Sequence, residues 1–324
     1  MSATGNGFDP GLIASQWGAT VDALIRARRP DLQWVTLAAG APLSALPDTA
    51  RVMLARPFAL ADRQRPAPAG WPFGLRWIQL ISVGFDFYPR WLLATPGLQV
   101  STAHGSSSET IADFVLASIL RVQLRLVERR AQQAEDWRFT EAPALAGSRV
   151  GLLGFGGIAQ ALAARLLALG LRVKALRRSG APLGLPGVEA ARDLADLLQD
   201  SDHLVLLAPG SAETRHLIDA QALAQAKPGL HLVNVARGSL LDADALRAAL
   251  DSGQVGWASL DVTEPEPLPA GHWLYQHPRV WLTPHTCAIS PQVQQALVDK
   301  LLRSLDRLGR GQPPESLIEL ARGY

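Results

Sequence analysis

From Arg149 onward, short apolar segments alternate with amphipathic ones, and this alternation constrains the fold more than any other feature of the chain. Strands that alternate with helices form a parallel sheet with helices on both faces. The sequence therefore predicts a doubly wound α/β domain here. Its strands are predicted at 150–153, 171–176, 204–207, 231–235 and 257–260, and its helices at 157–169, 195–198, 219–226 and 242–250.

The first hundred residues show a weaker pattern of the same kind. Candidate strands lie at 12–15, 32–37, 51–55 and 77–83, and the Pro- and Arg-rich stretch 61–72 is predicted to be a surface connection. Helices are predicted to begin at Ser107 or Ser108, where a hydroxyl can cap, and at Ser290, where proline follows the cap. At 324 residues the chain is long enough for two domains.

Composition and charge argue against several classes of protein. The formal net charge is only +2, and the arginines are scattered among acids, so nucleic acid is not an expected partner. A single cysteine, Cys287, excludes an intramolecular disulfide and is typical of a reducing compartment. Residues 1–10 do not have the pattern of a secretory signal, and no apolar run approaches the roughly 20 residues of a membrane span. We expect a cytoplasmic protein without a membrane partner.

Residues 150–159 place a GxGxxA pattern at the junction between a predicted strand and the helix after it. Gly154 permits the tight turn, Gly156 lets a pyrophosphate approach the backbone, and Ala159 keeps the helix close to the strand. The free N–H groups of the helix start then bind the phosphates. We predict a dinucleotide site with contacts from Gly154, Phe155, Gly156, Gly157 and Ile158.

The residues after the next strand indicate which dinucleotide is bound. An NAD site normally has a carboxylate there for the ribose hydroxyls, whereas this chain has Arg177, Arg178 and Ser179. Guanidinium groups bind a 2′-phosphate well, so we predict NADP(H) as the preferred cofactor, with NAD(H) as the alternative. The competing interpretation is that these arginines are solvated surface and that the site does not discriminate.

Three later segments carry polar residues at predicted strand ends, at 233–238, 260–268 and 282–286. Together with the glycine turn, the Ile-Ser-Val-Gly-Phe-Asp segment 81–86 and Lys227-Pro228-Gly229, they closely resemble the D-isomer-specific 2-hydroxyacid dehydrogenases. The likeness runs from about Trp77 to about Leu308 and is weak in the first seventy residues. It implies two doubly wound domains with the active site between them, and a homodimer formed through the cofactor domain. A Rossmann-type cofactor domain would span 102–289, and a discontinuous flavodoxin-like substrate domain would comprise 1–101 and 290–324.

The resemblance also implies the catalytic residues, which are Arg237, Glu266 and His285. A histidine can protonate the carbonyl oxygen as hydride reaches carbon, and a neighbouring carboxylate would stabilise the imidazolium. Arg237 would pair with the substrate carboxylate and polarise the keto group. The backbone of Val83 and Gly84 would complete the substrate clamp.

Further contacts follow from the same resemblance. Asp261 would orient the nicotinamide carboxamide, and additional cofactor contacts would come from Ala208, Pro209, Thr214, Val235 and Ala236. Glu264 competes with Glu266 for the catalytic role. Cys287, where relatives usually carry Gly or Ala, is either a packed side chain or a thiol that crowds the site when modified. Gly210-Ser211-Ala212 replaces the usual Leu-Thr-Pro.

These features predict reduction of glyoxylate, hydroxypyruvate or a similar 2-keto acid by NADPH. Two alternatives stay open: oxidation of another D-2-hydroxy acid, and a dinucleotide-sensing, corepressor-like interaction protein on the same fold. No metal is expected, because His272 and His277 lack a cysteine or acidic partner at ligand spacing and are predicted to be surface residues.

Overall fold

The computed structural model describes residues 8–38 and 41–320. The strands are β1 (Leu12–Ser15), β2 (Gln33–Thr36), β3 (Ala50–Ala55), β4 (Trp77–Leu80), β5 (Gln99–Ser101), β6 (Arg149–Leu153), β7 (Arg172–Leu176), β8 (Val188–Ala190), β9 (His203–Leu206), β10 (Leu230–Asn234), β11 (Val255–Leu260) and β12 (Val280–Leu282). The helices are α1 (Ala19–Arg28), α2 (Arg90–Leu93), α3 (Ser108–Gln123), α4 (Gly157–Ala168), α5 (Leu194–Asp200), α6 (Ala220–Ala224), α7 (Ala243–Ser252) and α8 (Pro291–Gly309).

The chain divides into two compact units. The first takes the described residues through Ser107 and from Ser290 onward, and the second is Ser108–Ile289. The sequence placed the first boundary slightly earlier, at residue 101. Residues 102 and 103 stay with the first unit because Thr102 N–H bonds to Ser316 O at 3.0 Å and Ala103 N–H bonds to Ser82 O at 2.9 Å.

The first unit contains a five-stranded sheet in the order β2-β1-β3-β4-β5, with every pair parallel. This is the flavodoxin-like order. One apolar cluster joins the sheet to α1 and α8, and a second cluster on the other side includes Leu92 of α2. Ser290 caps α8 by accepting from Val293 N–H at 3.2 Å, with Pro291 at the first helical position. The helix start predicted there is confirmed.

The second unit contains a seven-stranded parallel sheet in the order β12-β11-β10-β9-β6-β7-β8. Counted within the unit, this is the Rossmann order with one added strand. Helices α3 and α4 share one buried cluster with the sheet, and α5, α6 and α7 share the other. The predicted class, two doubly wound α/β domains, is confirmed. Strand order reverses between β6 and β9, which is where such sheets bind ligands at their carboxyl ends.

Sequence patterns located most of these elements but missed helix α1 and several of the shortest elements. Strands β5 and β8, of three residues each, were not predicted, because so short a segment shows no resolvable periodicity. Across the described residues, none of the helices has both the length and the apolar character needed to cross a bilayer.

Candidate active site

The turn between β6 and α4 has the geometry of a phosphate-binding loop. Gly154 adopts φ 103°, and a Cβ there would lie 2.8 Å from Ala208 N and from Leu207 C, so only glycine fits. At Gly156 a Cβ would meet no atom within 4 Å, so a ligand can approach this backbone. Gly156 is also the N-cap of α4 and supplies no side-chain cap to its first turn. These features fit a bound dinucleotide pyrophosphate.

Three further residues of this turn, Phe155, Gly157 and Ile158, can serve a dinucleotide mainly through their backbone. The side chain of Phe155 is 3% exposed and packs in the core with Ile111 and Val115 of α3. Ile158 is partly buried against the same cluster, and Gly157 approaches Ser108 so closely that a Cβ would lie 3.0 Å from its Oγ. The turn is therefore held in place by its packing against α3.

The predicted ribose-binding residues follow directly after β7. Gly154 N–H donates to Leu176 O at 2.9 Å, which fixes the end of β7 beside the glycine turn. Arg177 Nη1 donates to Pro182 O at 3.4 Å, and Arg178 Nη1 lies 3.2 Å from Glu213 Oε2. Ser179 Oγ accepts from Ala181 N–H at 3.4 Å. Two guanidinium groups thus lie at the position where an NAD site carries an acid.

The loop after β9 reaches the same edge of the sheet. Thr214 Oγ1 donates to Pro209 O and accepts from Ser211 N–H, both at 2.8 Å, while Ala208 is buried beneath the loop. A Cβ at Gly210 would lie 2.9 Å from Cγ of Arg237. The departure noted at 210–212 therefore has a structural consequence, because glycine there leaves room for the stem of Arg237.

His285 and Glu266 form a hydrogen-bonded pair. His285 Nδ1 lies 2.9 Å from Glu266 Oε2, and Glu266 Oε1 accepts from Thr263 N–H at 2.9 Å. His285 has a left-handed backbone, φ 53°, and its N–H donates to Asp261 O at 2.8 Å. The neighbouring Glu264 instead pairs with Arg215 at 2.9 Å. Of the two candidate acids, the structure brings Glu266 to His285.

The surroundings of Glu266 keep its carboxylate ionised. Burial by itself raises the pKa of Glu266. The hydrogen bonds from His285 and Thr263 and the charges of His285 and Arg237 outweigh this effect, so the pKa lies below its usual value. An ionised carboxylate on Nδ1 fixes the proton of His285 on that nitrogen when the ring is neutral. Nε2 is then the nitrogen that can exchange a proton.

Arg237 stands at the carboxyl end of β10, where the fully buried Asn234 fixes its backbone. Asn234 Nδ2 donates to Arg237 O at 2.8 Å, and its Oδ1 accepts from Ala236 N–H at 3.1 Å. Arg237 Nη1 donates to Ala236 O at 2.7 Å, while the side chain of Val235 is buried in the core. Sequence reasoning did not single out Asn234, although it lies within the quoted segment 233–238.

Asp261 holds the segment that carries His285. Its Oδ1 accepts from Thr283 Oγ1 at 2.6 Å and from Thr286 N–H at 2.9 Å, and its Oδ2 accepts from Cys287 N–H at 3.1 Å. The residue is 1% exposed. Sequence reasoning missed this role, since the partners lie more than twenty positions away. Its contact with a nicotinamide carboxamide stays a prediction.

Cys287 packs as an apolar side chain in the core of the second unit. It is 7% exposed, and burial, followed by the hydrogen bond and charge of Asp261, raises the pKa of its thiol well above the usual value. These facts support the packing interpretation. His277 also differs from its expected surface position, because its side chain is 13% exposed and stacks edge-on against Trp273.

The substrate-binding residues predicted near Gly84 belong to the first unit. They follow β4 in a bend, where Ser82 Oγ donates to Gly84 O at 2.7 Å and Val83 is 39% exposed. Nearby, Phe85 and Tyr88 are buried in the core of this unit. These two aromatic side chains therefore contribute to packing.

A Rossmann sheet with a glycine turn, and a histidine paired with a carboxylate at its ligand-binding edge, define a nicotinamide dinucleotide-dependent oxidoreductase. Residues 116–287 match the family model described as D-isomer specific 2-hydroxyacid dehydrogenase, NAD binding domain. The chain belongs to the family of D-isomer-specific 2-hydroxyacid dehydrogenases and acts on the CH–OH group of 2-hydroxy acids.

Individual relatives agree with this assignment. The chain is 33% identical over 254 residues to a glyoxylate reductase of Thermofilum pendens, covering 75% of each chain. It is 34% identical over 221 residues to glyoxylate/hydroxypyruvate reductase A of Serratia proteamaculans, covering 67% of this chain and 69% of that one. A solved D-isomer specific 2-hydroxyacid dehydrogenase from Xanthobacter autotrophicus Py2, in complex with NADPH and MES, superposes with a TM-score of 0.80 at 28% identity, covering 98% of this chain and all of that one.

Proposed function

We propose that the protein reduces a small 2-keto acid, such as glyoxylate or hydroxypyruvate, with NADPH. The observation that carries this proposal is the 2.9 Å pair of His285 and Glu266 at the ligand-binding edge of the Rossmann sheet, with the charge of Arg237 close enough to lower the pKa of Glu266. The names of the two relatives, glyoxylate reductase and glyoxylate/hydroxypyruvate reductase A, support the substrate class.

In the proposed reaction the bound dinucleotide supplies the hydride, and residues of this chain manage the charge and the proton. Arg237 pairs with the substrate carboxylate and polarises the keto oxygen. His285 donates a proton from Nε2 to that oxygen as the hydride reaches the carbonyl carbon, so the hydride and the proton together convert the carbonyl group into a CH–OH group. Glu266 stabilises the imidazolium before transfer and holds the ring through Nδ1. In the oxidative direction His285 accepts the proton.

We propose that residues 108–289 bind the dinucleotide and that the backbone N–H groups of Val83 and Gly84 bind the substrate carboxylate. Asp261 would orient the nicotinamide carboxamide. Cofactor contacts would come from the glycine turn and from Ala208, Pro209, Thr214, Val235 and Ala236. The glycine turn and the fixed loop after β9 support this arrangement.

The preference for NADP(H) is part of the proposal. It is supported by Arg177, Arg178 and Ser179 directly after β7, a segment that itself contains no carboxylate for the ribose hydroxyls. Oxidation of another D-2-hydroxy acid uses the same residues in reverse and is a second candidate. The relatives named above are reductases, and they do not support the corepressor-like alternative.

A homodimer and a cytoplasmic location remain predictions. The second unit exposes large apolar side chains at Trp137 (86%) and Phe139 (109%), which supports burial of this stretch against a second copy. Sedimentation equilibrium at micromolar concentrations would measure the association.

The test of the proposed function is NADPH oxidation monitored with a panel of 2-keto acids of increasing side-chain size. We expect glyoxylate or hydroxypyruvate to give the highest kcat/KM, and NADPH to exceed NADH. His285→Gln is expected to lower kcat by about 100-fold or more, the scale of a lost general acid. His272→Gln is the matched control, because it removes a ring that caps a short turn and contacts Trp273, away from His285 in the chain. Near-normal turnover by the His285 variant would contradict the mechanism.

A further inference from the structure

We propose that Glu213 is a specificity-determining residue that competes with a 2′-phosphate for Arg178 and so limits the preference for NADP(H). This inference rests on the cofactor preference proposed above. Neither residue reacts with the substrate. The competition changes the affinity for the adenosine half of the dinucleotide, so it can be measured as binding, without turnover.

The first support is the topology of the second unit. The sheet order places β6 between β7 and β9, and Arg178 follows β7 while Glu213 follows β9. The 3.2 Å pair therefore reaches across the carboxyl end of β6, where the glycine turn begins. A dinucleotide whose pyrophosphate rests on that turn has its adenosine ribose beside the end of β7. Arg178 lies at that end of β7, and Glu213 contacts Arg178 from the loop after β9.

The second support is the way the Glu213 loop is fixed. Thr214 closes the turn with its bonds to Pro209 and Ser211, both at 2.8 Å. Arg215, the next residue, is tied to Glu264 at 2.9 Å. Because Thr214, the residue after Glu213, is held by two hydrogen bonds, the Glu213 backbone has little freedom to carry its carboxylate away from Arg178.

The sign of the effect follows from charge. A 2′-phosphate carries about −1.5 to −2 charges near neutral pH and needs the guanidinium that Glu213 engages. The 2′-hydroxyl of NADH is neutral and is affected much less. Both side chains are largely exposed, 58% for Arg178 and 75% for Glu213, so water and salt weaken the competition. We therefore expect an effect of about 3- to 10-fold on phosphate-bearing ligands at low ionic strength, which shrinks as salt is added.

The experiment measures Kd for 2′,5′-ADP and for 5′-AMP by isothermal titration calorimetry, with the full chain and without substrate. Glu213→Gln is expected to tighten 2′,5′-ADP by about 3- to 10-fold and to leave 5′-AMP within about 2-fold. Glu141→Gln is the matched control, since it removes the same charge from an exposed position of the same unit. An unchanged or weaker affinity of the Glu213 variant for 2′,5′-ADP would overturn the inference.

A second pair of variants separates this inference from the proposed function. Arg178→Gln is expected to weaken 2′,5′-ADP, and adding Glu213→Gln to it should then change the affinity by less than about 2-fold. If Arg178→Gln leaves 2′,5′-ADP binding unchanged, the proposed role of Arg178 in cofactor preference fails. If Arg178→Gln weakens binding but Glu213→Gln tightens it equally in both backgrounds, competition for Arg178 is excluded and this inference alone fails.

Discussion

At the scale of single residues, the candidate site depends on which of two nearby carboxylates reaches His285. Glu264 and Glu266 are separated by one proline, yet they have different partners. Glu264 pairs with Arg215, and Glu266 pairs with His285 and accepts from Thr263 N–H. The second arrangement gives an acid with a lowered pKa against an imidazole ring, which is the combination that stabilises imidazolium.

Replacing each acid by glutamine tests this distinction. Glu266→Gln is expected to lower kcat by about 10-fold or more, because an amide can hold the ring but cannot balance the charge on imidazolium. Glu264→Gln removes exposed contacts with Arg215 and His216 and should keep kcat within about 2-fold. Equal losses from the two variants, measured over pH 4 to 9, would contradict the assignment.

The pH dependence of Glu266 has a definite sign. Its pKa is lowered in the folded protein, so the favourable interaction is complete above the usual carboxyl pKa and is lost as pH falls through the lowered value. The carboxylate of Glu266 in this pair therefore remains ionised across the neutral pH range.

At the scale of elements, the site is made where the loops after β10 and β11 meet. Gly238, next to Arg237, lies so close to Thr263 that a Cβ would stand 2.0 Å from its carbonyl carbon and 2.2 Å from its oxygen. Thr263 in turn donates its N–H to Glu266. The position of the Glu266 side chain therefore depends on Gly238 in the neighbouring loop.

Gly238→Ala is expected to displace the Glu266 loop, because backbone atoms at these distances cannot move aside without shifting the chain. We expect kcat to fall by about 10-fold or more and the midpoint of thermal unfolding to drop by several degrees. Gly309→Ala is the control, since a Cβ there meets no atom within 4 Å. Kinetics and a melting curve that match the wild type would show that the two loops are not coupled.

At the scale of the whole molecule, we expect stability to depend on pH through a buried pair of histidines in the sheet of the second unit. His203 and His231 are register partners on β9 and β10, and their Nδ1 atoms lie 2.9 Å apart. His203 Nε2 contacts Gln123 Oε1 at 3.0 Å, and His231 Nε2 contacts Ser259 Oγ at 2.9 Å. Gln123 Nε2 donates to Ala144 O, which fixes its Oε1 as the acceptor.

These contacts assign every proton in the chain of bonds. His203 donates from Nε2 to Gln123, so its Nδ1 accepts from His231 Nδ1, and His231 Nε2 accepts from the Ser259 hydroxyl. Both rings must be neutral for this pattern to form. Burial lowers the pKa of His203 to about 4 and that of His231 well below its usual value, with the His203 charge contributing to the latter.

Acid is therefore expected to destabilise the fold. The unfolded chain binds protons on both rings below about pH 6.5 and the folded chain does not, so stability falls as pH drops from about 6.5 towards 4. The pair should contribute up to about 1.4 kcal/mol per pH unit for each ring to this slope. Urea unfolding measured at several pH values gives the slope directly. The double variant His203→Val and His231→Val should flatten it, and an unchanged slope would rule out the pair as its source.

The sequence by itself determined the doubly wound class, the glycine turn and most strands and helices. These depend on periodicity and on residues adjacent in the chain, such as Gly154 and Gly156. It also supplied the candidates Arg237, Glu266 and His285, through motifs in the right order. Between Glu264 and Glu266 it favoured Glu266, because Pro-Leu follows that residue, and it left Glu264 as the competing candidate.

Only the tertiary structure decided the contacts between distant residues. It showed that Asp261 fixes the segment around His285, that Glu213 reaches Arg178, and that His203 and His231 share a buried chain of hydrogen bonds. The physical reason is the same in each case. A hydrogen bond or ion pair needs its two atoms within about 3 Å, and for residues more than twenty positions apart that distance is set by strand order and packing.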